Sequence, residues 1–287
     1  MEWLFKLRGT RKLGKLIEQS AGVTGSGTSI QVAGNYQYGL NYTEVKDLME
    51  LLWEANFPKL TEAATERALQ SVQRLIEQTY AKLKEKVDRI SAEKLAEPDV
   101  QQVFNAAVQG AARKGEKANI DLLANLLEMR VERDNSDFFD ICIEEAVSIV
   151  PKLTPEMIGA LVTIQFVKHL TVPDGVGLEQ MYAVIYREYA SKCREITLTR
   201  SRTIASFGAG TYMNIMGSDT LSTFKAKYPT LNSQSDIEAA FPSLVATLRL
   251  YDEKQLHKLD LSVAGKVIAL TLLRRHFPVI DPKALID

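Results

Sequence analysis

The sequence has few cysteines and histidines, and their placement argues against metal sites and disulfide frameworks. Cys142 and Cys193 are the two cysteines in 287 residues, and they form no Cys-x-x-Cys pair. This usage is typical of a reducing compartment. No two of the three histidines, His169, His257 and His276, lie within four residues of each other. The sequence therefore predicts no metal site and no cofactor.

The common catalytic and nucleotide-binding motifs are also missing. The chain contains neither a G-x-x-x-x-G-K-[ST] loop nor a G-x-S-x-G elbow. Its glycine clusters at positions 22–27 and 208–210 lack the strand and helix that a dinucleotide fingerprint needs on either side. An enzyme would need a site of scattered residues around 196–217, in a pocket lined by Tyr212, Arg200 or His169. We predict no catalytic residue, and a non-enzymatic protein is the favoured interpretation.

Long apolar runs and an excess of charge of one sign are absent as well. No uncharged apolar run of about 18 residues occurs, so no membrane-spanning helix is expected. The N-terminal MEWLFKLRG is not followed by the apolar core of a signal peptide. A net charge of -1 provides no general attraction to nucleic acid, which is not an expected partner. These absences predict a cytoplasmic protein, with a peripheral location at the inner membrane face as the alternative.

Residues 1–18 form an amphipathic pattern. At about 100° per residue, an apolar arc lies opposite a basic one: Trp3, Phe5, Leu7, Leu13, Leu16 and Ile17 against Arg8, Arg11, Lys12 and Lys15. One interpretation is a membrane-surface contact through Trp3, Phe5, Leu7, Arg8, Arg11 and Lys12. The other is a terminal helix that packs on its own protein or on a sister chain. The second is favoured because the segment is short and contains Gly9 and Gly14, which weaken a helix.

Residues 19–39 are rich in Gly, Ser, Thr, Gln and Asn and alternate with a period of two. Ile30, Val32, Tyr36 and Tyr38 would share one face of an extended segment. That segment is either a single strand or a hairpin that closes near residues 33–35. An extended segment must find a partner for its backbone groups. The partner is either residues 196–204, which carry alternating β-branched residues, or a second copy of the chain. We therefore predict Ile30, Val32, Tyr36 and Tyr38 as oligomer contacts.

The remaining chain has helical periodicity. The expected helices cover residues 41–53, 61–95, from Pro98, 120–130, 138–150, 155–170, 179–194, 221–227, 237–251 and 262–276. The second would be on the order of 50 Å long. The predicted fold class is mainly α, a multi-helix bundle with a small N-terminal β hairpin or strand. Three regions are expected, 1–40, 41–172 and 173–287, and the last two are either separate or continuous.

A local basic cluster follows the helix predicted at residues 179–194. It contains Lys192, Arg194, Arg200 and Arg202, with two tyrosines nearby in sequence. Such a cluster could contact phosphates or an acidic partner. Because the net charge of the chain is close to zero, a solvated surface is the favoured interpretation.

The order of several segments resembles a known group of proteins. The segments are QSAG, SIQVAGN, GLNYTEVKDL, ANFPKL, EPDVQ, DLLANLLEMR and VPKLTPEM. This series is similar to a family of bacterial proteins to which no function has been assigned, and the similarity covers residues 19–170 best. The resemblance implies a small β segment in front of a helical body. The QSAG segment also resembles leaders of bacterial conflict and defence proteins, which implies a portable association module.

The leading functional hypothesis is a non-enzymatic, self-associating interaction or scaffold protein, acting in bacterial conflict or defence. It predicts a homo-oligomer and allows a further protein partner. A peripheral membrane sensor or effector that uses residues 1–18 is the first alternative. An enzyme with a site near residues 196–217 is the second.

Overall fold

The computed structural model describes residues 42–56, 62–170, 177–214, 219–227 and 234–286. Within these ranges the chain is mainly helical, which confirms the coarse fold class. The helices are α1 (Tyr42–Asn56), α2 (Glu62–Glu85), α3 (Pro98–Lys114), α4 (Ile120–Arg130), α5 (Asp137–Ile149), α6 (Pro155–His169), α7 (Leu178–Glu188), α8 (Leu198–Ser206), α9 (Thr220–Lys227), α10 (Gln234–Ala240), α11 (Pro242–Glu253), α12 (Val263–Arg274) and α13 (Pro282–Ile286). Strands β1 (Gly210–Tyr212) and β2 (Leu259–Leu261) form a two-stranded antiparallel sheet.

Several helix boundaries match their local sequence signals. Proline occupies the first position of α3 and α6, where its missing N–H does no harm. The Ser136 side chain caps α5 by accepting a hydrogen bond from the Phe139 amide at 3.1 Å. Helix α4 has the predicted bounds, Ile120–Arg130.

Helix α2 ends earlier than predicted. It stops at Glu85, so its 24 residues span about 36 Å instead of 50 Å. A 3-10 turn follows at Val87–Arg89, and Ile90 then forms an isolated antiparallel bridge with Glu132. The Ser91 amide donates to the Val131 carbonyl at 3.0 Å. The chain therefore leaves the helical path because its backbone pairs with the end of α4.

The prediction of a strand at residues 196–204 is wrong. This segment forms α8, whose first turn is capped by Thr197 accepting a hydrogen bond from the Arg200 amide. A helix cap thus prevails over the β propensity of the alternating Thr and Ile residues. The real strand β1 follows α8, and its Gly210 lies where a Cβ would be only 2.5 Å from the Asp260 carbonyl oxygen.

The helix predicted at residues 237–251 is divided in two. Pro242 begins α11, and Phe241 before it has non-helical backbone angles, φ -132° and ψ 57°. Proline disfavours the helical conformation in the residue before it, which separates α10 from α11.

The buried side chains form a continuous cluster that extends from α1 to the residues after α12. Helix α2 packs on α3 and α4, and α12 packs on α5, α6 and α4. Helix α12 approaches β1 closely, because a Cβ on Gly265 would lie 2.0 Å from the Ala209 carbonyl oxygen. Only glycine at this position allows that approach without a backbone shift.

The residues predicted as oligomer or membrane contacts lie outside the described ranges. They are Trp3, Phe5, Leu7, Arg8, Arg11, Lys12, Ile30, Val32, Tyr36 and Tyr38. Their roles stay predictions.

An acidic pair near the end of α4 is buried against a lysine. The Glu128 side chain is almost fully buried, and its carboxylate lies 2.5 Å from Lys86 Nζ, which also contacts Glu132 at 3.3 Å. Burial raises the pKa of Glu128 from the ordinary 4.5 to about 7, although the Lys86 ammonium acts in the opposite direction.

This raised pKa predicts a change of stability with pH. Between pH 4.5 and 7 the folded chain holds a proton on Glu128 that the unfolded chain has released, so the free energy of unfolding falls as pH rises. Glu128→Gln mimics the protonated form. From pH 5 to 7.5, its stability relative to wild type should therefore increase by on the order of 2 kcal/mol.

Urea unfolding at the two pH values measures this change. The control is Glu66→Gln, because Glu66 is exposed on α2. Parallel pH profiles for wild type and Glu128→Gln would show that the Glu128 carboxyl has an ordinary pKa.

Candidate functional site

A cleft of about 450 Å³ opens between α2, the start of α4, the start of α6 and the end of α12. This volume lies in the range of small-molecule sites. Its lining combines charged, polar and apolar side chains: Arg74, Gln78, Lys117, Asn119, Ile120, Asp121, Leu153, Pro155, Ile158, Glu188, Tyr189, Lys192, Leu272, Arg275 and His276.

Four cationic residues from four parts of the chain line this cleft. Arg74 lies in the middle of α2, and Lys117 lies in the 3-10 turn before α4. Lys192 lies in the 3-10 turn after α7, and Arg275 directly follows α12. The first turns of α4 and α6 contribute to the lining as well, and a helix N-terminus carries partial positive charge.

Each of the two acidic residues of the lining pairs with a cation from outside the lining, Lys82 or Arg187. Lys82 Nζ lies 3.1 Å from Asp121, and the Arg275 guanidinium also contacts this carboxylate. Arg187 Nε donates to Glu188 at 2.8 Å, and this hydrogen bond lowers the pKa of Glu188. The cleft is therefore electropositive, in a chain whose net charge is -1.

A tyrosine and a histidine form a neutral pair in the cleft. Tyr189 Oη and His276 Nε2 lie 3.1 Å apart, and Tyr189 Oη donates to the Leu272 carbonyl at 3.4 Å. Burial raises the pKa of Tyr189 to about 12 and lowers the pKa of His276. Both groups are neutral at neutral pH, so the pair can form hydrogen bonds but contains no activated nucleophile.

Two polar groups in or beside the cleft lack a hydrogen-bond partner among the described residues. Gln78 Oε1 is buried and accepts no hydrogen bond from them. Thr154 precedes α6, but its side chain makes no capping bond, and its buried Oγ1 has no partner there either. Buried polar atoms are usually paired, so each of these could interact with a bound molecule.

The apolar residues of the lining come from the start of α4, the start of α6 and the end of α12. They are Ile120, Leu153, Pro155, Ile158 and Leu272. A bound molecule would therefore contact charged and apolar surface at the same time.

The sequence-predicted basic cluster is dispersed. Arg194 donates to Tyr186 Oη at 2.7 Å, Arg200 pairs with Glu156 at 3.0 Å, and Arg202 lies 5.4 Å from the centre of the Tyr212 ring. Of the four members, Lys192 is the one that lines the cleft.

The remaining sequence candidates are structural. Cys142 and Cys193 are buried free thiols, and burial raises the pKa of Cys193 to about 11. A thiol with this pKa is a poor nucleophile at neutral pH. His169 is the last residue of α6.

Sequence reasoning did not identify Arg74, Lys117 and Arg275 as members of one site. They come from three helices or turns that are far apart in the chain, and none belongs to a short motif. Only their packing in the fold brings them together.

None of the helices that the structure describes is long and apolar enough to cross a bilayer. Nor do the described ranges contain a cluster of three His, Cys, Asp or Glu side chains that could hold a metal ion.

Fold and cleft together define a mainly helical protein with an electropositive ligand-sized cleft. A family model whose description names neither an activity nor a ligand matches residues 39–235, more than half of the chain. The protein belongs to this family, which is poorly characterised. No curated protein and no solved structure matches the chain significantly.

Proposed function

We propose that this protein is a non-enzymatic interaction protein that self-associates, with residues 1–18 of one chain packed on α5 of a second copy. The observation that carries this proposal is the solvent face of α5. Burial raises the pKa of the Cys193 thiol and of the Tyr189 phenol, so neither group is an activated nucleophile at neutral pH, and this supports a binding role.

The solvent face of α5 combines apolar and acidic side chains. Phe138 is 51% exposed and Ile141 is 59% exposed, and they lie three residues apart on one side of the helix. The other exposed residues of α5 are Asp137, Glu144, Glu145 and Ser148. At 100° per residue all six positions fall within an arc of about 120°. We call this surface the α5 face.

The N-terminal segment complements the α5 face in two ways. Its apolar arc contains Trp3, Phe5 and Leu7, which suit Phe138 and Ile141. Its basic residues, such as Arg8 and Arg11, suit the acidic side chains of the α5 face, which contains no cation. Charge complementarity of this kind specifies a partner and orients it.

The β segment provides a second contact between copies in this proposal. Ile30, Val32, Tyr36 and Tyr38 would pair with the same residues of another chain. The QSAG segment supports this assignment, because it resembles leaders of bacterial conflict and defence proteins. We extend the proposal to a role in such a response.

The mass of the protein in solution tests the proposal, measured by light scattering after size-exclusion chromatography. The full chain should be oligomeric. Ile141→Glu places a charge in the apolar centre of the α5 face and should reduce the mass towards that of a monomer. Deletion of residues 1–40 should have the same effect.

Leu198→Glu is the matched control, because Leu198 is 50% exposed but lies on α8. This variant should keep the wild-type mass. A monomeric full chain, or an Ile141→Glu oligomer of unchanged mass, would contradict the proposal.

The membrane alternative has a separate readout. Residues 1–18 could bind anionic lipid instead of α5, since basic and aromatic side chains suit that surface. Flotation of the full chain with anionic vesicles distinguishes the two interpretations. If the wild type floats with the vesicles and Trp3→Glu does not, residues 1–18 bind the membrane. If the wild type does not float, the result favours contact with the α5 face.

A further inference from the structure

We propose that the electropositive cleft binds an organic phosphate, a small molecule whose phosphate groups contact the cations while its apolar part contacts the apolar residues of the lining. This inference does not depend on self-association, because the α5 face shares no residue with the cleft.

The charge of the lining points to an anion. Arg74, Lys117, Lys192 and Arg275 come from separate elements and surround one volume. Cations held close together repel each other, and a bound anion relieves this repulsion. Arginine in particular binds phosphate through paired N–H donors.

The two acidic residues of the lining cancel only part of the charge of the four cations. Asp121 is shared between Lys82 and Arg275, and Glu188 is bonded to Arg187. Lys82 and Arg187 lie outside the lining. Their positive charges offset the negative charges of Asp121 and Glu188, which would otherwise repel an anion in the cleft.

The size of the cleft and its apolar residues point to an organic body. A cleft of about 450 Å³ is much larger than a single inorganic phosphate needs. Ile120, Ile158 and Leu272 would contact the uncharged part of the molecule. Removal of this apolar surface from water would stabilise the complex.

Unpaired and neutral polar groups provide the remaining contacts. Gln78 Oε1 can accept a hydrogen bond from an N–H or O–H group of the ligand. Tyr189 and His276 are neutral, so they would not repel or attract the ligand by net charge. Specificity for the organic part would come from these groups.

Calorimetric titration of the full chain with ADP, sodium pyrophosphate and adenosine tests the inference. ADP should bind, pyrophosphate should bind at least about tenfold more weakly, and adenosine should release no heat. The affinity for ADP should fall with rising KCl, because its phosphate contacts are electrostatic.

The key variant is Lys192→Glu, which reverses one charge of the lining. Lys192 is exposed and its contact with the Tyr189 ring is at 5.8 Å, so the substitution leaves the core untouched. ADP affinity should fall by at least about tenfold. The matched control is Lys84→Glu, since Lys84 is exposed on α2 and does not line the cleft.

Four results would overturn the inference. They are no heat with ADP, equal affinities for ADP and pyrophosphate, equal affinities for ADP and adenosine, or equal losses in Lys192→Glu and Lys84→Glu. Circular dichroism of both variants shows whether the fold is retained.

Discussion

Replacement of Phe104 by alanine should lower the free energy of unfolding by about 3–5 kcal/mol. Phe104 lies in α3, has no exposed surface and belongs to the central buried cluster. The substitution removes the whole ring from a packed interior and leaves a cavity that the neighbouring helices fill only in part. Chemical denaturation monitored by circular dichroism measures the loss.

Phe138→Ala is the matched control for this prediction. It removes the same atoms from a side chain that is 51% exposed, so its effect on stability should be less than about 1 kcal/mol. Similar losses in the two variants would contradict the burial argument. Phe138→Ala has a further use, because it belongs to the α5 face and should weaken self-association without unfolding the chain.

Replacement of Arg130 by methionine should cost about 3 kcal/mol. The Arg130 side chain is only 3% exposed, and its guanidinium pairs with Asp140 at 2.8 Å and with Asp99. Methionine preserves much of the volume but leaves the Asp140 carboxylate without its strongest partner. Lys94 at 3.2 Å and Asn135 at 2.7 Å continue to contact Asp140, which places the loss at the lower end of the range for broken buried ion pairs.

Arg187→Met provides the comparison for this second prediction. Arg187 also pairs with a carboxylate, but it is 70% exposed. Exposed ion pairs contribute little, so the change should be within about 0.5 kcal/mol. If Arg130→Met is as mild as Arg187→Met, the buried network does not stabilise the fold.

Local signals predicted most of the helices. Pro98 and Pro155 are start signals that the structure uses, and α4 has the predicted bounds. These signals act over one helical turn, so they can be read from a short window of sequence.

The predictions of secondary structure from the sequence were wrong where contacts with distant residues compete with local propensity. The chain leaves α2 at Glu85 because residues near Ile90 pair with the end of α4. The short sheet depends on contact between β1 and β2, and α9, α10 and α11 come between these strands in the sequence. No short window contains both partners.

The cleft was least accessible to prediction for the same reason. Its cations occupy positions from 74 to 275, and each one by itself resembles an ordinary surface residue. Lys192 belongs to a basic cluster in the sequence, but in the fold it lines the cleft together with Arg275 and Lys117.

The position of α12 has a consequence for biosynthesis. This helix covers buried surfaces of α5 and α6, yet it leaves the ribosome long after them. During translation those surfaces remain uncovered in the nascent chain, where exposed apolar side chains attract chaperones and promote aggregation. Completion of the tertiary structure must therefore wait until Val263–Arg274 has been synthesised.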